Sequence, residues 1–176
     1  MLGFGISVLF MALALYLVRT ETNLLTTVAT NVGLATVVES EIVTVKNGEN
    51  INQERANALI EAADGRGIIK KLVIDDVKIG NGAEVMLGNT VSVHYIGTLQ
   101  DGTEFDNSNK RGEPFSFTVG QGRVIKGWEE GLVGMKVGGQ RILVIPAELA
   151  YGRQAIGVIP ANSTLVFAIE LLEVKK

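Results

Sequence analysis

A chain of 176 residues with 47% hydrophobic and 20% charged side chains reads as one ordinary globular domain with additional segments. Its formal charge of −3 gives no basic excess, which argues against nucleic-acid binding by phosphate neutralisation. It has no cysteine and one histidine, which excludes disulfides, thiolate nucleophiles and cysteine-type zinc sites, and argues against a histidine-built metal centre.

Residues 1–18, MLGFGISVLFMALALYLV, carry no charged side chain, and Arg19 and Glu21 end the run. A membrane span takes roughly 17–25 apolar residues, so this is a short anchor. A cleaved signal is the rival reading. No Lys or Arg precedes the apolar run, however, and the best cleavage candidate, Thr27-Val28-Ala29, is weak. Arg19 is the one flanking basic side chain, so the positive-inside count barely orients the segment. The expectation is a membrane-anchored protein with an extracytoplasmic domain, with secretion after cleavage as the alternative.

Residues 19–70 read as a linker region. NLLTTVATNVGLATVVESEIVTV has β-branched runs fit for a strand or two. INQERANALIEAADGRG follows as a short amphipathic helix. Ile51, Leu59, Ile60 and Ala63 share about one face, Gly65 closes the helix, and the face packs on the main domain or on a partner.

From residue 71 the pattern changes to strands. KLVIDDVKIG is a β-branched run ended by Gly80-Asn81-Gly82. TVSVHYIGTL alternates, with Val91, Val93 and Tyr95 on one face and Ser92, His94 and Ile96 on the other. That places His94 as a structural histidine. Gln100-Asp101-Gly102-Thr103 is a turn signal. PFSFTVG, QRILVIPA and STLVFAIELLEV complete about five strands. Between them GRVIKGWEEGL holds the chain's one tryptophan. On a helix over 124–132, Val124, Ile125, Trp128 and Leu132 form an apolar stripe, while Glu129 and Glu130 face solvent. So short a helix needs a sheet to pack on. The spacing serves a plain core tryptophan and a pocket-floor tryptophan equally. The fold class is α+β: a curved antiparallel sheet wrapped on one short helix, preceded by the N-terminal hydrophobic helix.

Four segments stand in order: VSVHYIGTLQDGTEFDNS, GEPFSFTVGQGRVIKGWEEGLVGMKVGG, AYG and VIPANSTLVFAIELL. Together they make residues 71–176 resemble the FK506-binding-protein (FKBP) type of peptidyl-prolyl cis-trans isomerase. The resemblance implies an apolar pocket with Trp128 as floor and Tyr95, Phe105, Phe115 and Phe167 as aromatic walls. It implies Val124, Ile125 and Ile159 as aliphatic rim, and Asp106 and Tyr151 as polar groups at the mouth. The Ile125 backbone N–H and the Tyr151 hydroxyl are implied as donors to a bound peptide, and Arg111 occupies a position that often pairs with the aspartate. The implied partners are proline-containing polypeptides and FK506-like macrolides, and the implied reaction needs no metal or cofactor. The alternative is a non-catalytic proline-peptide-binding or chaperone module of the same fold. One departure stands out: in the loop AYGRQAIGVIPAN, residues 150–162, Pro160 is followed by Ala161 where two prolines are common, and Ile156 stands where others carry polar or proline residues.

Overall fold

The computed structural model describes residues 42–45 and 51–176. The expected anchor at residues 1–18 lies outside them. Among the described residues no helix is long and apolar enough to cross a membrane.

The elements run β1 (Ile42–Val45), α1 (Ile51–Ala62), β2 (Leu72–Lys78), β3 (Thr90–Leu99), β4 (Glu104–Asn107), α2 (Ser108–Arg111), β5 (Phe115–Thr118), α3 (Lys126–Gly131), β6 (Gln140–Ile145), a 3-10 turn (Ala147–Leu149) and β7 (Leu165–Lys175). The strands form one sheet in the order β1-β2-β6-β7-β3-β4, with β5 paired to β3 beside β4. The expected all-antiparallel sheet of about five strands becomes a mixed sheet of seven. β1 runs parallel to β2, and every other pairing is antiparallel. The five expected strands are β2, β3, β5, β6 and β7. The turn at 100–103 closes a hairpin onto β4, with Leu99 N–H to Thr103 O at 2.8 Å and Gly102 at a positive φ of 90°.

The two faces of the sheet carry separate apolar layers. Leu72, Ile74, Val91, Val93, Tyr95, Leu143, Ile145, Leu165, Phe167, Ile169 and Leu171 belong to the main core with Trp128 and Leu132. Val73 turns to the opposite face, where it joins Val43 and Val45 of β1 and Ala58 and Ala62 of α1. The expected helix at 51–64 therefore packs on this chain's own sheet, with one change of face. Ile60 is 52% exposed, while Ala56, Ala58 and Ala62 are buried. Alanines on the packed side let the helix lie close to the strands.

The pair Asp75-Asp76 in β2 works in both directions, because successive strand residues point to opposite faces. Asp75 is buried on the back face and accepts from Arg55 Nε of α1 at 2.7 Å. Asp76 points to the front, opposite Arg141 in register, and accepts from Arg141 Nε at 2.7 Å and Nη2 at 2.8 Å. Arg141 in turn donates to the carbonyls of Gly131 at 2.7 Å and Val133 at 3.2 Å, capping the C-terminal end of α3. Two adjacent carboxylates thus hold a helix on each side of the sheet.

Helix α3 sits on the front face through its glycines. An added Cβ at Gly127 would lie 2.4 Å from Ile145 Cγ2, and one at Gly131 would lie 2.7 Å from Leu143 Cδ1. The two are four residues apart and so share a face. Their small size brings the helix backbone onto β6 and carries Trp128 down into the sheet. The helix is shorter than expected, with Ile125 as its N-cap and Leu132 as its C-cap.

Candidate active site

β3 supplies the first wall. Its inward residues include Tyr95 and then Gly97, which lies in register with Phe167 on β7 and Asp106 on β4. A Cβ on Gly97 would come within 2.7 Å of the Phe105 ring and 2.9 Å of the Phe167 ring. Glycine at this position makes room for the two rings, which meet edge-to-face at 5.5 Å. Trp128 fills the centre. It packs edge-to-face on Tyr95 at 5.0 Å, Phe167 at 5.2 Å and Phe115 at 6.1 Å, and tilted on Phe117 at 5.7 Å. Offset and edge-to-face pairs of this kind are each worth about 0.5–1.5 kcal/mol beyond their burial. Trp128 is 4% exposed, and its indole N–H has no acceptor among the described residues.

The polar edge is built around Tyr95. Its hydroxyl donates to Asp106 Oδ2 and accepts from Arg111 Nη2 at 2.9 Å. Arg111 Nη1 also pairs with Asp106 Oδ1, which accepts the Asn107 N–H at 2.8 Å as well. The Arg111 guanidinium lies 5.4 Å over the Tyr95 ring. Burial, and then the bond to Asp106, push the Tyr95 hydroxyl above its ordinary range, so it stays a donor. Arg111 is held further above its usual value, first by the Tyr95 hydroxyl and then by Asp106. The short helix α2 makes this arrangement local. The Asn107 side chain accepts from the Asn109 and Lys110 N–H groups, and Gly112 closes the turn at a φ of 79°, which returns Arg111 to Asp106.

Tyr95 itself is held by a hydroxyl in a gap of the ladder. β3 pairs with β5 through Val93 and with β4 from Ile96, which leaves Tyr95 between them. The fully buried Ser108 Oγ fills that gap. It accepts the Tyr95 N–H at 2.8 Å and lies 3.3 Å from the Tyr95 carbonyl. His94 Nδ1 bonds the same Oγ at 3.0 Å, which makes His94 the structural histidine expected.

The sequence-derived residues separate into two groups. Tyr95, Trp128, Phe167 and Ile159 belong to one buried cluster, with Phe105, Phe115, Val124 and Ile125 packed against it. Asp106 joins this group through Tyr95. Ile159 is buried at 5% exposure, and Ile156 bridges to it across the loop. Tyr151 lies apart. It is 38% exposed and makes no side-chain hydrogen bond or ring contact among the described residues. The Ile125 N–H likewise finds no acceptor among the described residues, while its carbonyl accepts from Trp128 at 2.9 Å. Glu129, half-exposed off the apolar stripe, is also tied to backbone: its carboxylate accepts the N–H groups of Gly120 and Gly122, the latter at 2.8 Å. Among the described residues, no group of three or more His, Asp or Glu is placed to hold a metal ion.

Residues 82–172 match the family model of the FKBP-type peptidyl-prolyl cis-trans isomerases. FK506-binding protein 4 of Gibberella zeae is 53% identical over 113 residues, covering 64% of this chain and 23% of that protein. The FK506-binding protein of Neisseria meningitidis serogroup A is 52% identical over 104 residues, covering 58% of this chain and 95% of that protein. The crystal structure of FkpA from Escherichia coli superposes with a TM-score of 0.56 at 54% identity, over 60% of this chain and 48% of that one. The chain thus spans less than a quarter of the Gibberella zeae relative and about half of FkpA.

Proposed function

The chain belongs to the family of FKBP-type peptidyl-prolyl cis-trans isomerases, and from that premise we propose that its aromatic site accelerates rotation about Xaa-Pro bonds in polypeptides and so assists protein folding. The observation that carries this is Trp128 at the centre of four aromatic rings, beside a tyrosine whose hydroxyl is locked by Asp106 and Arg111.

Rotation about a peptide bond meets a barrier of about 18–20 kcal/mol, because resonance gives the C–N bond double-bond character. Uncatalysed Xaa-Pro exchange takes tens to hundreds of seconds. No bond is made or broken and no proton need move. In the twisted transition state the amide has lost its resonance and is less dipolar, so water favours the planar ground state. A site walled by rings removes that bias and favours the twisted form. Each tenfold in rate takes about 1.4 kcal/mol of such preference.

The indole of Trp128 is the surface for the prolyl ring, walled by Tyr95, Phe105, Phe115 and Phe167 and rimmed by Val124, Ile125 and Ile159. The Ile125 N–H, without an acceptor among the described residues, holds the extended peptide, and the Tyr151 hydroxyl donates to a substrate carbonyl from its exposed loop. The Trp128 N–H, whose burial without an acceptor costs about 1–3 kcal/mol, gains from any lone pair a ligand brings near it. Asp106 is the organiser of the mouth. Its oxygens already accept from Tyr95, Arg111 and Asn107, which suits a fixed negative charge beside the amide and not a base. FK506-like macrolides are expected to compete for the same surface. The apolar run at residues 1–18 supports a membrane tether.

A proline-peptide-binding or chaperone module without catalysis is the second reading. The intact Asp106–Tyr95–Arg111 arrangement favours the enzyme. Asp106→Ala is expected to lower kcat/KM on a short Xaa-Pro peptide roughly ten- to a hundredfold, by loss of an interaction felt in the transition state. The carboxylate is partly exposed, with side-chain exposure of 39%, so the stability loss is expected to stay near 1 kcal/mol. A coupled assay with urea unfolding measures both, and unchanged kcat/KM removes Asp106 from the mechanism.

A further inference from the structure

Between β5 and α3 the chain crosses an exposed run, 120–123, to reach Val124 and Ile125. At one end the Val119 N–H is held by the Asn89 carbonyl at 2.9 Å, and at the other the Trp128 N–H is held by the Ile125 carbonyl at 2.9 Å. Of the backbone N–H groups between those two, among the described residues only Gly120 and Gly122 find acceptors. Both acceptors are carboxylate oxygens of Glu129, Oε2 for Gly120 and Oε1 for Gly122. The two glycines stand at positive φ, 89° and 66°, and glycine has the greatest backbone freedom to lose. Among the described residues no side chain caps the start of α3, where Ile125 is extended at φ −60° and ψ 148°. One carboxylate therefore ties the entry of this run to the helix that carries Trp128, with Ile125 between the two anchor points.

Resting on the isomerase reading above, we propose that Glu129 is a positioning residue for peptide binding: by holding Gly120 and Gly122 it sets the path of the chain into Ile125 and so the direction of the Ile125 N–H. Glu129 acts through that N–H and touches no substrate. The ring contacts of Trp128 come from β3, β5 and β7, so they do not depend on the carboxylate. A hydrogen bond to the extended peptide is present in the flat and the twisted states alike. Weakening it raises KM and leaves kcat in place.

The test is steady-state isomerisation of a short Xaa-Pro peptide by the full chain carrying Glu129→Ala or Glu129→Gln. Glu129→Ala is expected to raise KM roughly tenfold with kcat within about threefold of wild type. Glu129→Gln keeps one oxygen acceptor and is expected to fall between. The amide resonances of Val124 and Ile125 are expected to shift while ring signals of the Trp128 cluster hold. Wild-type KM in both variants, even with a lowered Tm, overturns the proposal and leaves Glu129 a stabilising contact only. A fall in kcat at unchanged KM overturns it as well. If Glu129→Ala does not fold, Glu129→Gln decides alone: a raised KM supports the proposal and a wild-type KM overturns it. If the wild-type chain shows no isomerisation, the functional reading fails separately. The Kd of the peptide then decides the role of Glu129, with an unchanged Kd in Glu129→Gln overturning it.

Discussion

Trp128→Ala is expected to cut kcat/KM on a short Xaa-Pro peptide by about a hundredfold or more, and to cost about 3–5 kcal/mol of folding stability. The indole meets Tyr95, Phe115, Phe117 and Phe167 and is 4% exposed. Removing it opens a cavity that α3 cannot close by sinking further, because Gly127 and Gly131 already bring its backbone onto Ile145 and Leu143. On the proposed reading the surface for the prolyl ring is lost with it, and water is expected to enter where the twisted amide needs a dry environment. Trp128→Phe separates the two losses. A smaller ring keeps much of the packing, so stability is expected to recover more than activity. Kinetics well below the measured Tm, with urea unfolding of the same samples, distinguish the effects. A Trp128→Ala protein that folds and keeps wild-type kcat/KM contradicts the assignment of the indole to the site.

Arg141→Ala is expected to destabilise the fold by about 2–4 kcal/mol, from the loss of a charge-assisted fork and of the donor to two helix-end carbonyls. The Arg141 side chain is 7% exposed, against 27% for Asp76. Its guanidinium makes a two-pronged bond to Asp76 and closes the carbonyls of Gly131 and Val133. Alanine removes that two-pronged bond and leaves the two helix-end carbonyls without the guanidinium that closes them. Those carbonyls lie at the end of the helix that carries Trp128, so on the proposed reading some loss of activity is expected to follow the loss of stability. Arg141→Lys keeps a charge but not the planar fork and is expected to lie between wild type and alanine. The denaturation midpoint in urea checks the order, and a midpoint for Arg141→Ala equal to wild type contradicts it.

What the sequence revealed and what it hid follow from the kind of signal each part leaves. The long strands and the packed face of Trp128 were legible because alternation in β3 and four-residue spacing around Trp128 are written directly in residue type, whereas the gathering of Phe105, Phe115 and Phe167 was expected only from the resemblance. β4 was not, because Glu104-Phe105-Asp106-Asn107 has no apolar run and becomes a strand only by closing on β3 after the turn. β1 reads as strand-forming in IVTV, but its parallel pairing with β2 depends on α1 returning the chain, which periodicity does not encode. The face of α1 was misjudged at Ile60 because a search for large apolar residues overlooks a helix packed through alanines.

The Asp106–Arg111 pair was expected from the resemblance, whereas the role of Ser108 left no signal. A serine that fills a gap between two strand pairings looks like any turn serine. The bonds of Glu129 left no signal either, because its partners are backbone groups, which have no letter in the sequence. Arg141 did leave one. In QRILVI it alternates with Leu143 and Ile145, and a charge on the inward face of a strand calls for a buried partner.

The most direct measurement of the central claim is NMR exchange between the cis and trans forms of a short Xaa-Pro peptide, with the wild-type chain present at a small fraction of the peptide concentration. Exchange without protein takes tens to hundreds of seconds. The expected result is exchange faster by several powers of ten, abolished by an FK506-like competitor. Exchange that stays at the uncatalysed rate while the peptide binds contradicts the claim that this ring-lined site favours the twisted amide.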